Sequence, residues 1–149
     1  MSISFLGPSG SCEYPWIHYA LLRDNILHHC EQGQITTKFS ETYKISGSLA
    51  GLQTFVSATK LREEMHIAQD LLQRPIADLA LSARTRAVLS FEQALPLGPP
   101  TQVVGPDLTL PWLSNEPQTL GQVFGDLLTS LLHITEGAKD TDRVEVIET

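Results

Sequence analysis

The stretch TLGQVFGDLLTSLLHITEGAKDTDRVEVI, residues 119 to 147, decides the fold class. Thr119 and Gln122 have the spacing of a capping box, in which each side chain satisfies the other residue's backbone N–H. Leu120, Phe124, Leu127, Leu131 and Ile134 follow at helical intervals and form one apolar stripe. Gly137 is the residue type that adopts the left-handed conformation closing a helix. Val144 to Ile147 then reads as a short strand. A capped helix followed by a strand, in a chain whose other segments show both periods, predicts an α+β fold.

Towards the N-terminus, Leu61, Met65, Ala68 and Leu72 again share one helical face, while Arg62, Glu63, Gln69 and Gln73 lie elsewhere around the cylinder. Arg74-Pro75 ends that helix, because the residue before proline is pushed out of the helical region, and Pro75 can open a second short turn. Ile76 to Phe91 reads as a short helix followed by a strand or a helix. Leu49 to Val56 is open to either assignment. From Ile35 to Ile45 the period is two, with Ile35, Phe39, Tyr43 and Ile45 on one side, which predicts a strand with one buried face. Ile17, Leu21, Leu22, Ile26, Leu27 and Cys30 predict a helix with Pro15 in its first turn and Gly33 at its end. Ser2 to Leu6 predicts a strand broken by Gly7-Pro8-Ser9-Gly10, with a loop continuing to about Tyr14.

Six of the nine prolines fall between Pro96 and Pro117, which excludes a long helix or a central strand there. Val103, Val104, Leu108, Leu110, Trp112 and Leu113 supply enough apolar surface to lay that segment over the core. The expected architecture is therefore a single domain over 1–149. It has a small sheet of short strands, about three main helices in a single layer on that sheet, and an extended proline-rich segment at 95–117.

Composition narrows the functional classes. With 42% hydrophobic and 18% charged residues the chain has the means to build a core. No apolar run approaches the roughly 20 residues of a membrane-spanning helix, and the first ten residues lack the pattern of a secretory signal, so a cytoplasmic location is expected. Cys12 and Cys30 are read as thiols. A formal charge of −7 disfavours nucleic acid, which demands clustered Lys and Arg, and favours a basic protein partner.

No motif identifies catalytic machinery or a bound cofactor. Cys12, His18, His28, His29 and Cys30 are metal-ligating types, and a metal-dependent enzyme or sensor built on Cys12 and the His28/His29/Cys30 cluster is one alternative. Against it, neighbours at 28 to 30 point to different sides of a helix. Gly7 to Ser11 lies where phosphate loops occur but lacks their signature, so a plain turn is expected. Arg84 and Arg86 would share a face in a strand. Glu63-Glu64 and the acids Asp140, Asp142, Glu145 and Glu148 read as solvated charge that attracts a basic partner collectively. A structural or regulatory homo-oligomer, using the apolar proline-rich segment, is a further alternative. The expected partner-binding residues are Glu13, Tyr14, Trp16, Trp112 and Glu116, because both tryptophans sit next to proline and beside loops, and aromatic anchors ringed by polar groups typify interfaces.

Taken in order, several landmarks resemble one known group. Cys12-Glu13-Tyr14 precedes a helix with Leu22-Arg23 and His29-Cys30-Glu31-Gln32-Gly33; Phe39, Tyr43 and Lys60-Leu61-Arg62-Glu63-Glu64 follow. Pro111-Trp112, Thr119-Leu120 with Phe124, and Val144-Glu145-Val146-Ile147 complete the series. In this order the chain resembles bacterial immunity proteins of polymorphic toxin systems, in particular the immunity family numbered seventy. The resemblance implies a small α+β protein that is not an enzyme and neutralises a toxin by binding it; it implies no particular binding residues.

Overall fold

Alternation of side chains in Ser2–Gly7 (β1) sends Ile3 and Phe5 to one face, where both are fully buried. The computed structural model describes residues 2–30, 35–45, 53–73, 79–92, 109–110 and 118–149. β1 turns at Pro8-Ser9 directly into a second strand, Gly10–Pro15 (β2), so the predicted loop to Tyr14 is instead half of a hairpin. Its polar composition disguised it: only Cys12 and Tyr14 face inward, and Ser11 and Glu13 face out. Arg143–Glu148 (β6) pairs with the other side of β1, and Gln53–Ser57 (β3) pairs with β6. The result is an antiparallel sheet in the order β2-β1-β6-β3, whose inner face carries Ile3, Phe5, Val56, Val144 and Val146. Of Leu49 to Val56, open to helix or strand, Gln53 to Val56 belong to this edge strand and 49–52 lie outside the described residues.

Helices cover that inner face. Trp16–His29 (α1) begins after Pro15, which belongs to β2 and stands one residue before the helix rather than in its first turn. Ile17, Leu21, Leu22 and Ile26 are buried as the spacing predicted, and so are Trp16, Tyr19, Ala20 and Asn25. α1 is the central helix, packed against Ala58–Gln73 (α4), Ala83–Glu92 (α5) and Leu120–Ile134 (α6). Leu61, Met65 and Ala68 form the buried stripe of α4; Leu127, Leu131 and Ile134 form that of α6. The capping box at α6 is present, with Gln122 N–H donating to Thr119 Oγ1 at 3.3 Å and Thr119 N–H donating to Gln122 Oε1 at 2.9 Å. Gly137 has the expected positive φ of 69°. The two-residue strands Thr109–Leu110 (β4) and Gln118–Thr119 (β5) pair at the entrance to α6; the rest of the 95–117 segment, and Arg74-Pro75, lie outside the described residues.

The predicted strand over 35–45 is incorrect. Ile35–Lys38 (α2) and Ser40–Lys44 (α3) are short helices. Phe39 and Ile45 are buried as expected, but Tyr43 is 54% exposed while Glu41 and Thr42 are buried. The decisive groups come from far away in sequence. The Glu64 carboxylate on α4 accepts the N–H groups of Glu41 (3.1 Å) and Thr42 (2.8 Å), which would otherwise be orphan donors at the start of α3. The Tyr19 hydroxyl on α1 donates to the carbonyls of Thr42 (2.7 Å) and Ile45 (3.3 Å) at its other end. A turn held at both ends by buried side chains overrides a local period of two.

Candidate functional site

The residues expected to form the partner surface have different environments. Glu13 is exposed on the outer face of β2. Tyr14 points the opposite way, half-buried, with its hydroxyl 2.5 Å from Ser130 Oγ on α6. Trp16 is only 3% exposed and belongs to the core; the Arg84 guanidinium lies 5.2 Å from its ring centre. Trp112 and Glu116 lie outside the described residues. Arg84 and Arg86 are on the helix α5 rather than a strand, Arg84 exposed and Arg86 buried.

The cysteines and histidines are equally dispersed. Cys12 is a free thiol on the inner face of β2, its pKa pushed up to about 11 by burial. His18 is buried in α1 with its ring 5.3 Å from that of Tyr14, and burial lowers its pKa to about 4. His28 and His29 meet edge to face at the end of α1. Among the described residues no three His, Cys, Asp or Glu side chains are grouped as a metal site requires.

Two surface features stand out instead. The first is the outer face of the sheet. Register sets Leu6 opposite Glu145 and Glu145 opposite Phe55, while Ser4 stands opposite both Glu13 and Ile147. Leu6 is 41% exposed and Phe55 is 51% exposed, so two large apolar side chains flank a carboxylate in one row across the sheet. All the sheet residues in the buried core point the other way, into α1, α4 and α6.

The second is a cleft of about 600 Å³ at the β3 corner of that face. Phe55, Ser57 and Arg143 form its floor, Lys60 lies at the start of α4, and Glu41 and Lys44 of α3 stand on one side. Asp140 and Asp142, in the loop before β6, complete the wall. Glu41 is engaged on both oxygens, with Lys44 Nζ at 2.9 Å and Ser57 N–H at 2.9 Å. Asp142 accepts the Lys139 N–H at 2.8 Å and, through its carbonyl, the Ala58 N–H at 3.0 Å. Among the described residues Lys60 and Arg143 form no ion pair.

Glu64 and Glu148, expected to be solvated, are instead buried, at 4% and 1% exposed. Burial raises the Glu64 pKa, against the lowering effect of its hydrogen bonds to α3. Arg62, read as lying off the apolar stripe of α4, reaches the carbonyl of Leu132 and helps close the end of α6. Sequence reasoning missed the cleft, since its charges come from three separate stretches with no common spacing. The chain matches no protein-family model, no curated protein and no solved structure. No helix among the described residues is long and apolar enough to cross a membrane.

Proposed function

We propose that this chain is a non-catalytic binding protein, an immunity-like inhibitor that neutralises a cognate bacterial toxin by direct contact. The observation that carries this reading is the outer sheet face, where Leu6 and Phe55 are exposed on either side of Glu145. Exposed large apolar side chains supply contact area to an interface, and the carboxylate between them pairs with a cationic partner. The net charge of −7 favours a basic partner and speeds its approach. The order of sequence landmarks, which resembles that of immunity proteins, points the same way.

Growth rescue tests the reading. A toxin domain encoded beside this gene should arrest growth when expressed alone, and co-expression of this chain should restore it. The double variant Leu6→Thr with Phe55→Thr should stay folded, because threonine suits a strand and sets no like charge opposite Glu145, yet fail to rescue. A neighbouring product that is harmless on its own, or full rescue by the folded double variant, refutes the proposal.

A further inference from the structure

We infer that the cleft at the β3 corner is a binding site for a small zwitterion, a free amino acid or short peptide with an apolar side chain. This does not rest on toxin neutralisation, although Phe55 belongs to both surfaces. A pocket of about 600 Å³ is within the range that holds small ligands. Its lining divides into three chemical parts.

The first part recognises a carboxylate. Lys60 and Arg143 are both exposed to the cleft and form no ion pair among the described residues, and Lys44 has ammonium donors beyond the one given to Glu41. Three of the ten Lys and Arg residues of an acidic chain thus surround one hollow. A guanidinium and an ammonium with open donors match a carboxylate better than any neutral group does.

The second part recognises an ammonium. Glu41 and one oxygen of Asp142 are engaged, but Asp140 is exposed in the loop and has open acceptor sites. With Glu41 paired to Lys44, the remaining charges of the lining are Lys60 and Arg143 on one hand and Asp140 and Asp142 on the other. A ligand carrying both signs matches them. The third part is the ring of Phe55, 51% exposed at the floor, which offers an apolar surface to a side chain.

The test is titration calorimetry of the full chain with L-phenylalanine and with the dipeptide Phe-Phe, beside two blocked forms of phenylalanine. N-acetylphenylalanine lacks the ammonium, and phenylalanine amide lacks the carboxylate. At least one of the two zwitterions should bind saturably with Kd below about 1 mM, and each blocked form at least tenfold more weakly, a loss of about 1.4 kcal/mol. Which zwitterion binds more tightly separates an amino-acid site from a peptide site. Lys60→Gln with Arg143→Gln should abolish the preference for the parent over its amide, and Asp140→Asn the preference over the acetyl form. All three residues are exposed, so thermal melts should match the parent protein. Absence of saturable binding by both zwitterions overturns the inference, as does equal binding of the blocked forms or unchanged selectivity in the folded variants.

Discussion

Two glycines should respond in opposite ways to the same substitution. A Cβ added at Gly7 would lie 2.5 Å from the backbone oxygen of Ile134 and 3.1 Å from its carbonyl carbon. That oxygen terminates α6 and accepts the Ser9 N–H at 3.0 Å, so the hairpin tip closes the helix end. Neither partner is a flexible side chain, and Gly7→Ala must therefore push the hairpin off α6. Overpacking of this kind costs about 1–3 kcal/mol, and weakening the Ser9 bond adds about 1 kcal/mol. For a chain of this size, a total of about 3 kcal/mol lowers Tm by roughly 6–12 °C. A Cβ at Gly125, inside α6, meets nothing within 4 Å. Gly125→Ala should gain about 0.5–1 kcal/mol, because glycine in a helix interior gives up more backbone freedom on folding. Urea denaturation with a two-state fit measures both. If Gly7→Ala is as stable as the parent, the close docking of the β1–β2 turn on α6 is wrong; if both variants gain equal stability, backbone freedom and not space governs these positions.

Acid should destabilise the protein through His18. Its folded pKa of about 4 is below the ordinary 6.5, so as pH falls below 6.5 the unfolded chain takes up the proton first. That stability is intact above pH 6.5 and disappears towards pH 4, amounting to roughly 3 kcal/mol with solvent fully excluded and about 2 kcal/mol after screening. Calorimetric melts of His18→Phe should show a flatter slope between those pH values; an unchanged slope refutes the assignment. Glu64 acts in the opposite direction, since a raised carboxyl pKa means that the folded state gains stability as pH falls through it, and Glu64→Gln should remove that gain. Glu64→Ala should cost about 2 kcal/mol by leaving the Glu41 and Thr42 N–H groups without their acceptor. Hydrogen exchange should then accelerate in residues 40–44 before it does in α4, and uniform acceleration would show that α3 does not depend on this cap.

What could be read in the sequence was what neighbouring residues decide among themselves. The capping box at Thr119, the stripes of α4 and α6, the left-handed Gly137 and the strands at either end of the chain all follow from spacing within a dozen residues. α3 could not be read, because the groups that make it a helix are Glu64 and Tyr19, each more than twenty residues away. The same limit governed function. Trp16 stands beside a proline next to a turn, as a partner-facing aromatic might, yet α1 is enclosed by the sheet and three helices, and the side chain is sealed. Phe55 and Leu6 belong to strands of ordinary composition, and only the sheet order reveals that both lie on the face opposite the described helices. Whether an apolar residue is core or interface is therefore a property of the layer above it. Among the described residues the helices α1, α4 and α6 lie against one side of the sheet, and Leu6 and Phe55 are exposed on the other.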